Sequence, residues 1–217
     1  MQPARQPRAV VWPKAVVWPK AVVWDVGHVL FDWDPRYLYA KLIADPVELD
    51  WFLDHVVTKP WHFQSDAGRP IATMIAELTG RFPQYADLIA AYWPRWLETI
   101  PAPLPGMLDL VADLDARGVP QFAITNFGAE FWAMFRPTAP VFDVFSDIVV
   151  SGIEKLTKPD SAIFAVALAR FDLGPGDGVF IDDRADNVAA SNAAGLVGHV
   201  FVDAADTRSW LKGIGLV

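Results

Sequence analysis

The chain has 217 residues, 53% of them hydrophobic, with a formal net charge of −8 and no cysteine. That is enough apolar material for one sizeable core and a small second lobe, and it excludes disulfides and thiolate metal sites. An acidic chain of this kind is a poor candidate for gripping nucleic acid or an anionic membrane through its overall field, whereas a small anionic substrate held in one cationic pocket stays compatible with it.

The N-terminus repeats a six-residue unit, AVVWPK, twice from Ala9 and begins it a third time at Ala21. Pro cannot donate to a sheet ladder, so the two complete copies make poor strands. The third, AVVWD, is free of Pro, β-branched and apolar on both faces, which predicts a buried parallel strand ending on Asp25. Residues 1–20 then read as a tail, with Trp12 and Trp18 as adhesive side chains. Pro13, Lys14, Pro19 and Lys20 interrupt any signal-peptide apolar stretch, and no membrane-length apolar run occurs. With the missing cysteines, this makes the cytoplasm the expected location.

After a turn-rich segment, VGHVLFDWDP, apolar residues recur at i, i+3, i+4 spacing across 35–44, 46–57, 70–80 and 83–100, predicting helices. Between them, WHFQSDAGRP (61–70) reads as a polar connecting loop, with His62, Asp66 and Arg69 as alternative substrate contacts. Trp51, Trp93 and Trp96 fall in the helical patterns and read as packing residues. The Pro-rich PAPLPG (101–106) is a hinge. Beyond it, helices over 106–118, 128–137, 159–173 and 184–195 and a last one in ADTRSWLKG alternate with strands over 120–126, 146–152, 178–183 and 199–202. Such alternation predicts an α/β fold, a Rossmann-like parallel sheet with helices on both faces. The core is residues 21–34 and 101–217, and 35–100 is an inserted helical cap.

Ligands of open parallel sheets bind beyond the carboxyl ends of the strands. Asp25, Thr125 with Asn126, and Asp182 with Asp183 stand there, and the loop IEKLTKP brings Lys155 and Lys158. Crowded carboxylates need a cation to stay ionised, and a hard ion such as Mg²⁺ suits an all-oxygen site. Mg²⁺ and a lysine together hold a phosphate dianion, which a free carboxylate can attack. Taken singly, each of these groups reads as an ordinary turn, cap or surface residue.

Taken in order, WDVGHVLFDWDP, AITNFG, KPDSAIF and FIDDRADNVAASNAAG resemble the four motifs of the haloacid dehalogenase-like (HAD) hydrolase superfamily, closest to its phosphatase branch with a helical cap. The resemblance implies Asp25 as nucleophile and metal ligand, with the Gly27 carbonyl and Asp183 completing the direct ligands. It implies Thr125 as the motif-two hydroxyl, Asn126 beside it on the substrate, and Lys158 as the motif-three lysine. Asp182 and Asn187 fall behind the metal as outer ligands. One departure stands out: where most phosphatases of this kind carry a general acid, position 27 is glycine, which transfers no proton. Relatives reading DLGNV there still look like sugar-phosphate phosphatases. His28 is the nearest titratable side chain and a candidate substrate contact, whereas Asp32 and Asp34 read as turn and cap carboxylates.

The function expected from this reading is Mg²⁺-dependent hydrolysis of a small phosphomonoester, a sugar phosphate among the candidates, through an aspartyl phosphate. The expected partner is a small phosphorylated metabolite, with no nucleic acid and no membrane, and exposed tryptophans would allow a homodimer. The rivals are a metal-independent haloacid dehalogenase and a catalytically weak phosphate-binding or regulatory protein.

Overall fold

The computed structural model describes residues 19–217, so Trp12, Trp18, the first AVVWPK copy and all but Pro19 and Lys20 of the second lie outside the described residues. Five parallel strands form one sheet in the order β3-β2-β1-β4-β5. They are β1 (Ala21–Trp24), β2 (Gln121–Thr125), β3 (Asp147–Val150), β4 (Gly178–Asp182) and β5 (Val197–Val200). The third copy of the repeat is therefore the central strand. Its residues alternate between two cores, as the period of a strand requires. Ala21 and Val23 pack with Ile163, Phe164 and Phe171, whereas Val22 and Trp24 pack with Leu110, Val111 and Leu211. Both faces are covered by helices, which is the expected α/β architecture.

Between β1 and β2 run α1 (Arg36–Tyr39), α2 (Pro46–His55), α3 (Lys59–Asp66), α4 (Ile71–Arg81), α5 (Ala86–Ala91) and α6 (Met107–Ala116). Then come α7 (Ala129–Phe135), α8 (Ser151–Glu154), α9 (Ser161–Phe171), α10 (Ala185–Ala194) and α11 (Ala204–Gly213). The core under α6 and α11 runs without a break into the inserted helices through Phe31, Tyr39, Tyr92 and Trp96.

Several expected boundaries move, each for a local reason. The helix expected over 35–44 is a single turn, α1, followed by hydrogen-bonded turns. The one expected over 83–100 breaks into a 3₁₀ turn at Pro83–Tyr85, α5 and a second 3₁₀ turn at Trp96–Thr99. Pro94 lies between the last two, and Pro disfavours helical backbone in the residue before it. Residues 61–70 are not a connecting loop: α3 covers most of them, capped by the Thr58 hydroxyl, which accepts from Trp61 N at 3.0 Å. The strand expected over 146–152 stops at Val150, and Ser151–Glu154 make a helical turn instead. A Cβ at Gly152 would lie 2.4 Å from Ala129 N, so only glycine lets this turn press on the loop after β2. The last strand is Val197–Val200 rather than 199–202, and it includes Gly198, where a Cβ would meet Val188 of α10 at 2.7 Å.

Candidate active site

The sheet register brings the acids together. Trp24 pairs with Ile181 in β4, and Asp25 N continues the ladder by donating to Ile181 O at 2.9 Å. Asp25 thus stands beside Asp182 at the carboxyl end of the sheet. On its other flank Trp24 pairs with Ala123, which puts Thr125 at the same end. Lys158 arrives from the segment between α8 and α9. Its backbone is held by Asn126, whose amide donates to Lys158 O at 3.0 Å and accepts from Lys158 N at 2.8 Å. The Asn126 side chain, expected on the substrate, is thereby committed to seating the lysine.

The Lys158 ammonium is buried between two carboxylates, 2.8 Å from Asp25 Oδ1 and 2.7 Å from Asp182 Oδ2. Asp182 also accepts from Arg184 N and from the Asn187 amide. Burial opposes its ionisation, but these partners, Lys158 foremost, outweigh it and hold its carboxyl below the ordinary range. Burial likewise works against the charge on Lys158, yet the two carboxylates keep it cationic. Asp25 is pushed up to about 8, first by burial and then by Asp182 and Asp183, against the pull of Lys158. Asp183 is raised by burial and by Asp182 and lowered by His28.

One oxygen from each of Asp25, Asp182 and Asp183 lies within 4.8 Å of the others. One buried ammonium does not balance three carboxylates, and the excess is what a divalent cation relieves. Two oxygens at the same end of the sheet, Thr125 Oγ1 and Asn187 Oδ1, are also buried and lack a hydrogen-bond partner. Buried polar atoms are nearly always paired, so two orphans beside an acidic cluster indicate a site built for ligands. Among the described residues, no hydrogen bond is donated to the Gly27 carbonyl either.

Asp25, Gly27, His28, Asn126 and Asp183 open onto one cavity of about 330 Å³. The inserted helices contribute His62 and Asp66 of α3 and the nearby Trp96 to the same cavity. Both α3 side chains are buried, as the spacing of four within a helix allows. Burial pushes the Asp66 carboxyl up to about 7, against the N–H of Gly128 and the Ser65 hydroxyl. It pushes His62 down to about 3, leaving a neutral ring whose Nδ1 is hydrogen-bonded to the Tyr92 hydroxyl at 2.7 Å. Arg69, the third expected contact, instead pairs with Gln64 and Glu77. Asp34 caps Arg36 N, and Asp32 accepts from the Tyr37 hydroxyl, so both serve the turn as expected. Ser151, which no sequence signal singled out, ties α3 to the loop after β2: its hydroxyl donates to Asp66 O at 2.6 Å and accepts from Phe127 N at 2.9 Å.

The chain is similar to several known proteins. A family profile described as haloacid dehalogenase-like hydrolase matches residues 19–195. The sesquiterpene phosphatase astK of Aspergillus oryzae is 30% identical over 106 residues, 49% of this chain and 54% of that protein. The chain thus spans about half the length of that relative. Among solved structures, the HAD family enzyme bt-2542 of Bacteroides thetaiotaomicron, in complex with magnesium and inorganic phosphate, superposes with a TM-score of 0.63 at 20% identity, covering 85% of this chain and 95% of that one. L-2-haloacid dehalogenase of Xanthobacter autotrophicus superposes with a TM-score of 0.60 at 15% identity, covering 92% and 84%. At such identities the two structures speak for the fold.

Proposed function

The chain belongs to the haloacid dehalogenase-like hydrolase family, and from that premise we propose that it hydrolyses a small phosphomonoester with Asp25 as the nucleophile. The observation that carries this reading is the acidic cluster itself: Asp25 and Asp182 on either side of the buried Lys158 ammonium, Asp183 in the same cluster, and the unpartnered Thr125 hydroxyl at the same sheet end. A carbon-attacking dehalogenase has no use for that surplus of negative charge. The naming of the Aspergillus relative as a phosphatase and the magnesium–phosphate complex of bt-2542 agree with it.

Asp25, Asp183 and the Gly27 carbonyl would hold Mg²⁺, with Asp182 and Asn187 behind them. The ion supplies neutralisation of charge on the phosphoryl oxygens. The protein's own groups account for the rest. An Asp25 oxygen attacks phosphorus in line with the ester oxygen; the P–O bond to the alcohol breaks as the bond to Asp25 forms. The Lys158 ammonium and the Thr125 hydroxyl stabilise the transferring group, which in phosphoryl transfer lowers the barrier mainly through positioning and charge. Water then attacks the phosphorus of the aspartyl phosphate, releasing inorganic phosphate and restoring Asp25. Position 27 donates no proton to the leaving oxygen, and His28, lining the same cavity, is the nearest side chain in sequence suited to that task. The inserted helices act as a cap, placing α3 and Trp96 over the reacting end so that bulk water is excluded.

The test is phosphate release from p-nitrophenyl phosphate by wild type and Asp25→Asn, with Mg²⁺ or EDTA. Turnover that needs the metal and vanishes in the variant supports the reading. Metal-independent halide release from a 2-haloacid would replace it with the dehalogenase, and phosphate binding without turnover would replace it with the regulatory protein.

A further inference from the structure

The cavity that holds the acidic cluster is otherwise lined largely by hydrocarbon. Phe31, Trp33, Phe63, Trp96, Ile100 and Phe127 all face it. Trp33 lies 4.8 Å from the His62 ring, centroid to centroid, and His62 stacks on Trp96 at 6.4 Å, so these groups form one aromatic wall.

The polar side chains around that wall are mostly committed elsewhere. Both ends of the Asn126 amide are on the Lys158 backbone. Arg184 is paired with Asp186 at 2.6 Å. His62 Nδ1 is taken by Tyr92, and Lys59, largely exposed, lies 3.7 Å from Asp34. Away from the acids, His28, the Asp66 carboxyl and His62 Nε2 are what remains, because the indole N–H groups of Trp33 and Trp96, although unpartnered, are shut off from solvent. A sugar carries several hydroxyls, and each one buried without a partner costs about 1–3 kcal/mol. A site with so few free partners rejects such a substrate, whereas an apolar one gains from the same wall.

Resting on the phosphatase reading above, we propose that the alcohol of the substrate is an apolar hydrocarbon, a chain or ring packed against the Trp33–His62–Trp96 wall, and that sugar phosphates are poor substrates. The size follows from the space. At about 30 Å³ for a water-sized group, a cavity of about 330 Å³ holds the phosphoryl group and an alcohol of somewhat under ten non-hydrogen atoms.

A panel of methyl, butyl, hexyl and octyl phosphates, with glucose 6-phosphate and p-nitrophenyl phosphate, tests this at fixed Mg²⁺. Each added methylene should raise kcat/KM up to about fourfold, the equivalent of ~0.8 kcal/mol per buried CH₂, until the cavity is full. Glucose 6-phosphate should fall below butyl phosphate. Phe63 lines the cavity yet is 42% exposed, so its replacement leaves the core untouched. Phe63→Ala should lower kcat/KM for octyl phosphate more than for methyl phosphate. Turnover of p-nitrophenyl phosphate with a flat chain-length series, or with glucose 6-phosphate the better substrate, would overturn the apolar alcohol and leave the phosphatase standing. No metal-dependent phosphate release from any ester would overturn both.

Discussion

Replacing Lys158 by Met removes the one ammonium inside the acidic cluster while keeping a side chain of similar length. At 2.8 and 2.7 Å from Asp25 and Asp182, each attraction amounts to about 6 kcal/mol at an effective dielectric constant of ~20. Desolvation of the buried lysine offsets much of this, and breaking a buried ion pair by removing one partner costs about 3–5 kcal/mol net. The sign of the pH dependence follows from the acids left behind. Without Lys158 both carboxyls titrate in the folded state well above their unfolded value of ~4. The deficit is therefore absent below that value and grows as the pH rises. Urea unfolding of both proteins at about pH 5 and about pH 8, in EDTA and in Mg²⁺, reads it out. The variant should be less stable by about 3 kcal/mol or more at the higher pH, less so at the lower, and partly recovered by Mg²⁺. A loss under about 1 kcal/mol at the higher pH, or a deficit indifferent to both pH and Mg²⁺, would show that the lysine does not neutralise the cluster.

Thr125→Val should leave the melting temperature nearly unchanged, because the hydroxyl it removes is buried without a partner, while lowering kcat by about 10²-fold; a fully active variant would remove Thr125 from the site. A Cβ added at Gly27 meets nothing within 4 Å, so Gly27→Asp should fold normally and speed turnover of alkyl phosphates at least ~10-fold by supplying a general acid; an unchanged rate would mean that proton transfer is already provided. Asp66 is raised in the folded protein from 3.8 to about 7, so wild type loses stability as the pH climbs through that window, by at most ~4 kcal/mol at ~1.4 kcal/mol per pH unit. Asp66→Asn lacks this titration and should gain stability over wild type between those values; parallel melting curves would contradict the assigned burial.

The sheet was legible because its central strands announce themselves. AVVWD and VFIDD are apolar runs ending abruptly in carboxylates, and a buried parallel strand that stops at its functional end has that form. The meeting of Asp25, Asp182 and Asp183 then followed from topology. The aromatic wall was not legible. Trp33 follows β1, Trp96 sits beyond a Pro-broken helix and Phe127 follows β2, so no local period links them. In α3, the polar letters HFQSD resemble a loop; the signal for a helix was Thr58 with Pro60 just behind it, a cap and first turn. The double use of Asn126 on the Lys158 backbone was equally hidden, since it depends on a contact across 32 residues.

In the proposed reaction the Asp25 oxygen becomes bonded to phosphorus. Acid quenching during turnover, followed by mass analysis of the proteolytic peptides, observes that bond itself. The expected result is a phosphoryl group on the peptide containing Asp25, acid-stable and labile to alkali, present with Mg²⁺ and missing in Asp25→Asn. Steady turnover without any such adduct, or with the phosphoryl group on another side chain, would contradict it.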